Sequence, residues 1–240
     1  MAWDPVWEKI FTERAWGSYP SEHLVRFVAR RFFPAADRGA VRLLELGCGP
    51  GGNLWFMARE GFTVCGIDRS PTALNIARQR LDTEVPAWRG SLIEGDLEAL
   101  PFPDATFNGL IDNEAVYANP FAESCRIYRE AWRVLKPGGL LFARLFAAGS
   151  WGDGTGTPAG HGAWHASEGP LAGEGLARFT AECDLPALFA GFELLSREMT
   201  TRTVSDRRHE ICEWLLEARR LSRANANLPV RSGRDWKRIE

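Results

Sequence analysis

Short apolar runs alternate with amphipathic stretches along most of the chain. Val41 to Leu46 is an apolar run of strand length, and Asn53 to Arg59 has the spacing of a short helix. Thr63 to Asp68 repeats the strand pattern. Ser70-Pro71 then opens a helix to about Leu81, with proline at its favoured first position. A third strand is predicted near Ser91 to Glu94, a fourth at Phe107 to Asp112 and a fifth at Leu140 to Phe146. Between the last two, a helix from Ala122 to Leu135 meets the stop Lys136-Pro137-Gly138-Gly139. Strands separated by helices of this length predict an α/β fold with a parallel, doubly wound sheet and a ligand site at its carboxyl edge.

The flanks follow other patterns. Up to Phe33 the chain reads as a helical N-terminal cover, interrupted by the turn Trp16-Gly17-Ser18-Tyr19-Pro20, with Ser21 as a cap for the second helix. Gly149 to Gly175 breaks the rhythm: glycine-rich and aperiodic, it reads as a lid-like loop carrying Trp151, His161, Trp164 and His165. A helix around Ala181 to Phe189 follows, then a strand pair, Phe192 to Val204 and His209 to Ala218, turning at Asp206-Arg207. The expected organisation is one domain over 1–220, with the cover at 1–35, the lid-like loop at 149–175 and a polar, basic tail at 221–240 (Arg223, Arg231, Arg234, Lys237, Arg238).

Composition narrows the function classes. Hydrophobic content of 45% and charged content of 25% are ordinary for a globular chain. A net charge of −2 gives no electrostatic case for a nucleic-acid or membrane partner. No apolar run approaches the roughly 20 residues of a spanning helix. The start, Met1-Ala2-Trp3-Asp4-Pro5, lacks the charged and apolar regions of a secretory leader. The five cysteines (Cys48, Cys65, Cys125, Cys183, Cys212) are scattered, without C-x-x-C, so reduced thiols in a cytoplasmic protein are expected and a metal site is not. A small-molecule partner and a monomer or homodimer fit this profile. Ten tryptophans stand out, among them Trp3, Trp7 and Trp16 near the start; such aromatics either wall a pocket or pack.

The chemistry concentrates in Leu43-Leu44-Glu45-Leu46-Gly47-Cys48-Gly49-Pro50-Gly51-Gly52-Asn53, a strand delivering a loop with little side chain to a ligand. Its G-x-G-x-x-G spelling suits a dinucleotide, and Asp68, about 20 residues on, suits the ribose of a dinucleotide or of another adenosyl ligand. Three features tip the balance away from nicotinamide. Glu45 lies inside the strand end, Gly95-Asp96-Leu97 puts another acid on the same sheet edge, and Glu130-Ala131-Trp132-Arg133-Val134-Leu135-Lys136-Pro137-Gly138-Gly139-Leu140 joins helix, hard stop and strand.

In that combination and order, the chain resembles the class I S-adenosylmethionine-dependent methyltransferase family, closely over Val41 to Phe146 and in outline elsewhere. The resemblance implies a Rossmann-like, seven-stranded sheet whose last strand is antiparallel, in keeping with the terminal strand pair. It implies S-adenosylmethionine as cofactor, with Gly47, Cys48 and Gly49 against its methionine part and Glu45 supporting that loop or the ammonium group. Asn53, which opens the following helix, belongs to the same set. Asp68 would hold the ribose hydroxyls, Arg69 would flank the adenine, Asp96 and the Leu97 amide would read its edge, and Asn113 would sit near the sulfonium. The alternatives are a nicotinamide oxidoreductase and a non-catalytic cofactor-binding partner protein.

Methyl transfer is an in-line displacement in which alignment and an aromatic, dry site do most of the work. Trp16, Tyr19, Tyr117 and Trp151 are the expected substrate walls, with Tyr117 and His165 as candidates for moving a proton. An anionic acceptor would need no base and would call on Arg14 or Arg144. The run Asp112-Asn113-Glu114-Ala115-Val116-Tyr117 lacks the N-P-P-Y pattern that the family shows in nucleobase amine methylation, which favours a small molecule; oxygen, the commonest acceptor atom, is expected there.

Overall fold

The computed structural model describes residues 4–14 and 17–222. Trp3, Trp16 and the basic residues of the tail from Arg223 onward lie outside the described residues. The element order is α1 (Val6–Glu13), α2 (Glu22–Phe32), β1 (Arg42–Leu46), α3 (Gly52–Arg59), β2 (Thr63–Asp68), α4 (Pro71–Glu84), β3 (Arg89–Glu94), β4 (Phe107–Asn113), α5 (Phe121–Val134), β5 (Leu135–Phe146), β6 (Thr157–Gly160), β7 (Ala163–His165), β8 (Ala177–Arg178), α6 (Leu185–Leu188), β9 (Phe192–Val204) and β10 (His209–Arg220).

Seven strands form one sheet in the order β3-β2-β1-β4-β5-β10-β9. β1 to β5 pair in parallel, whereas β10 runs antiparallel to both β5 and β9 and is inserted between them. Side chains alternate across the sheet, and each face buries its own set. Leu43, Ile111 and Phe142 pack under α2, α3 and α4 through Leu24, Phe27, Leu54 and Leu74. Leu44, Leu46, Leu110 and Leu141 face the other way, onto Ile127, Tyr128 and Ala131 of α5 and Leu185 and Leu188 of α6. Strands buried on both faces read as continuous apolar runs, which is why the sequence shows runs and not alternation.

Caps and ion pairs set the helices. Ser21 accepts the Leu24 amide at 3.3 Å as the cap of α2, and Ser70 accepts the Ala73 amide at 3.0 Å above Pro71 at the start of α4. Arg31 grips the buried Glu217 of β10 at 2.7 and 2.9 Å, and Arg30 joins the same carboxylate, pinning α2 across the sheet.

Two expectations change. The stop Lys136-Pro137-Gly138-Gly139 does not precede β5 but lies inside it: Phe107 pairs with Leu135, the register then jumps, and Gly109 pairs with Leu140. Residues 136–139 thus stand opposite Asn108 alone, and Gly138 within them has φ +76. The lid-like segment 149–175 is not a plain loop either. β6 and β7 form a hairpin that pairs with β8 in a separate three-stranded sheet. Among the described residues, no helix is long and apolar enough to cross a membrane.

Candidate functional site

The strand order reverses between β1 and β4, and a cleft of about 520 Å³ opens there at the carboxyl ends of the parallel strands. Its floor is the loop after β1. Gly47, Gly49 and Gly51 all have left-handed backbones, at φ +58, +49 and +79. A Cβ on Gly47 would stand 2.4 Å from the Cβ of Ala115, at the tip of β4, so the loop and that tip close on each other only because the side chain is missing. The Cys48 side chain points away into the core beside Gly66, and burial pushes its thiol well above the ordinary range, so it is a packing group.

Three acids stand around the loop in different states. Glu45 is 2% exposed; its Oε1 accepts from Asn53 Nδ2 at 2.5 Å, while its Oε2 is buried and, among the described residues, has no partner. Burial, offset in part by Asn53 and reinforced by Asp68 and Asp112, raises its carboxyl to about 8. Asp68 accepts from the Gly49 amide at 2.8 Å through one oxygen and from the Ser70 amide at 2.9 Å through the other. Burial raises its pKa against the lowering effect of these amides. Asp96 is paired with Arg69 and also accepts the Glu98 amide at 2.9 Å; Arg69, Asp96 and Leu97 all line the cleft.

The N-terminal segment roofs this end. Trp7 and Phe11 of α1 face the cleft, and Tyr19 stands at its rim, 75% exposed. Glu8 accepts from the Ser70 and Thr72 hydroxyls at the start of α4, and these bonds outweigh its desolvation, holding its carboxyl low. Arg14, expected as a cation for an anionic acceptor, instead bonds Glu174 at 2.9 Å. Ser21 donates to Asn113 Oδ1 at 3.1 Å, tying the α2 cap to the end of β4.

Away from the loop the cleft is walled by Tyr117, Phe146 and Leu171 and floored by charge. Tyr117 is buried, with its ring edge-on to Phe146 at 5.0 Å. Arg144 is likewise not free: it grips Glu213 of β10 at 2.7 and 2.8 Å and reaches Glu114 at 3.4 Å. Burial, and then the neighbouring Glu213, raise the Glu114 carboxyl. Burial also works against ionised Glu213, but bonds from Glu114 and Arg144 prevail and keep its pKa low. Under this end, the buried Asp112 accepts from the Ala115 and Val116 amides at 3.0 and 3.1 Å and from the Tyr128 hydroxyl at 2.5 Å.

Two residues expected at the site are not on the cleft wall. Trp151 stacks on His209 with ring centroids 4.1 Å apart, and His165 is exposed on β7 where it pairs with Thr157. Trp16 lies outside the described residues. The other loop histidine, His161, is 2.7 Å from Asp184, against the Phe121 ring. In return, the structure brings in Glu8, Glu114, Arg202 and Glu213, which no local pattern marks; β10 has to pair with β5 before Glu213 can meet Glu114.

Comparison with known proteins adds a family. A methyltransferase-domain family model matches residues 43–139. The chain is 31% identical over 173 residues to the malonyl-[acyl-carrier protein] O-methyltransferase of Enterobacter lignolyticus, covering 71% of this chain and 60% of that protein. It is 31% identical over 126 residues to the fatty-acid O-methyltransferase of Mycolicibacterium smegmatis, covering 50% of this chain and 44% of that one. The chain thus spans about half the length of these curated relatives. Its fold is shared with a methyltransferase structure from Methanosarcina mazei at a TM-score of 0.62 and 24% identity, over 75% of this chain and 92% of that one.

Proposed function

Since the chain belongs to the class I S-adenosylmethionine-dependent methyltransferase family, we propose that it methylates an oxygen, hydroxyl or carboxylate, of a small-molecule acceptor. The observation that carries the cofactor half of this reading is Glu45, whose Oε2 is buried and, among the described residues, without a partner. A buried, unmatched carboxylate oxygen is costly, and an ammonium group from a ligand would repay it.

The residues present fit the cofactor. Gly47 and Gly49, with left-handed backbones and no side chains, and the Cys48 backbone between them would lie against the methionine part, and Glu45, oriented by Asn53, would take the ammonium group. Asp68 has lone pairs left after its two amide bonds, enough to accept the two ribose hydroxyls. Arg69 would flank the adenine. Asp96 can share its carboxylate between Arg69 and the adenine amine, with the Leu97 amide beside it. Asn113, held by Ser21, would lie next to the reacting centre. When bound, S-adenosylmethionine supplies an electrophilic methyl group. The chain itself orients the acceptor and excludes water, with Trp7 and Phe11 as roof and Tyr117 and Tyr19 as acceptor wall and rim. His165 and Trp151 have no part in this reading. A cytoplasmic setting, in which five scattered cysteines stay thiols, belongs to the same proposal.

Calorimetric titration with S-adenosylhomocysteine and with NADH tests the cofactor half, and transfer of a labelled methyl group to a metabolite panel tests the other. The thioether is expected to bind and NADH to leave the heat signal flat. Tight NADH binding with a silent thioether would sink the reading. Thioether binding with no transfer to any panel member would favour a non-catalytic partner role.

A further inference from the structure

We infer that Glu114 is the catalytic base for a neutral, hydroxyl-bearing acceptor seated between Tyr117 and the Glu213–Arg144 pair; this rests on the methyl-transfer reading above. Four observations carry it.

Glu114 stands at the right place. It follows Asn113 at the tip of β4, and Ala115 next to it is the residue that closes on Gly47. Its backbone is left-handed, φ +60, a conformation a side-chain-bearing residue rarely takes. The turn is held there by the Glu114 amide on the Arg144 carbonyl at 3.1 Å and by the Ala115 and Val116 amides on Asp112. Strain maintained this firmly at a cleft wall suits a functional position.

Its company makes it a proton acceptor. The charged or titratable groups around it are Arg144 from β5, Glu213 from β10, Arg202 from β9, Asp112 from β4 and Tyr117. Arg144 is committed bidentately to Glu213 and favours its ionised form, so of the two carboxyls Glu114 has the raised proton affinity; it accepts a proton once ionised, above that raised pKa. A carboxylate whose proton affinity is raised toward the working pH is a better general base than an ordinary one.

Tyr117 supplies the complementary group. It is 3% exposed and lines the cleft. Burial first, then Glu114, raises its pKa, so it stays a neutral phenol able to donate. An acceptor hydroxyl placed between them can give its proton to Glu114 and accept from Tyr117, with its apolar body on Phe146 and Leu171.

The charges disfavour the other nucleophiles. With both ionised, Glu114 and Glu213 are matched by Arg144 and Arg202, so this end of the cleft has no excess positive charge to draw a carboxylate. An ammonium acceptor would face Arg144 and Arg202 and would have to shed a proton first. In the reaction the acceptor O–H bond breaks and its proton passes to a Glu114 oxygen. The acceptor oxygen forms the new C–O bond while the C–S bond pair leaves with sulfur as a neutral thioether.

The full chain is assayed with labelled S-adenosylmethionine against catechol, cyclohexanol and methyl glucoside, and against benzoate and octanoate. At least one hydroxyl compound is expected to be labelled, with kcat rising as pH climbs through the Glu114 pKa. Glu114→Gln should lower kcat by about 100-fold or more and remove that slope, while KM and S-adenosylhomocysteine affinity stay within about threefold. Glu213→Gln, by removing a like charge and releasing Arg144, should move the profile to lower pH. Independently of turnover, carbon-13 NMR of labelled glutamate in the S-adenosylhomocysteine complex should show one carboxyl titrating above the ordinary range, absent in Glu114→Gln. Labelling of a carboxylate at a rate indifferent to Glu114→Gln overturns the inference, as does failure to label every hydroxyl compound while the thioether binds. Failure of the thioether to bind at all overturns the parent reading instead.

Discussion

Asn53 donates to one oxygen of Glu45 at 2.5 Å and leaves the other oxygen buried and, among the described residues, unmatched. In the proposed reading the pair would couple cofactor binding to pH. Glu45 carries a proton up to about 8, whereas an ammonium partner favours the ionised form. Binding below that pH therefore releases a proton. Affinity for S-adenosylhomocysteine should rise from about pH 6 toward pH 8, by at most tenfold per unit. Titrations in buffers of different ionisation enthalpy will show the released proton, and Glu45→Gln should flatten the slope. Constant affinity across that window with wild-type protein would rule out Glu45 as the ammonium partner.

Asp68 holds the loop and, in the proposed reading, would hold the ribose as well. Asp68→Ala strips the acceptor from the Gly49 and Ser70 amides and from any ribose hydroxyl. Loss of about 2–3 kcal/mol in thioether binding is expected, together with a lowered melting temperature. Calorimetry and thermal denaturation check the two effects separately; unchanged affinity would refute the ribose role.

Gly47→Ala should damage the cradle through sterics alone. The new Cβ would fall 2.4 Å from Ala115, on a backbone at φ +58. Crowding of this kind costs about 1–3 kcal/mol, measurable in urea denaturation. Thioether affinity should fall with it, because the loop and the β4 tip must part. Wild-type stability and affinity in this variant would show that the contact is looser than its geometry states.

The roof is held by hydrogen bonds that can be cut. Glu8→Ala frees α1 from Ser70 and Thr72, and Arg14→Ala frees its far end from Glu174. Each should speed release of S-adenosylhomocysteine several-fold in stopped-flow chase experiments, the double variant more than either. Because the Glu8 carboxyl is held below its ordinary value, its contribution is present at neutral pH and fades on acidification. Identical release rates in all three variants would mean that α1 does not gate the cleft.

What the sequence determined by itself is local. Five parallel strands, the proline and serine that start α4, the Ser21 cap and the glycine loop all follow from neighbours in the chain. Strand period, helix caps and left-handed turns are short-range physics, so they are written within a few residues. Asp68 and Asp96 were legible for the same reason: each ends or follows a strand whose direction carries it to the sheet edge. The register jump at Lys136 to Gly139 was not, because proline and glycine mark a break without saying whether a strand resumes in register. Trp151 and His165 misled, since an aromatic or a histidine in a glycine-rich segment carries no address until the segment folds onto β10 or into its own hairpin. Tertiary structure alone decided the end of the cleft around Glu114. Inserting β10 antiparallel between β5 and β9 delivers Glu213 to Arg144 and Glu114, and Arg202 of β9 to the same cleft. The Glu114 carboxyl thereby acquires a proton affinity that no run of neighbouring residues encodes, because burial and an opposing carboxylate from a distant strand set it.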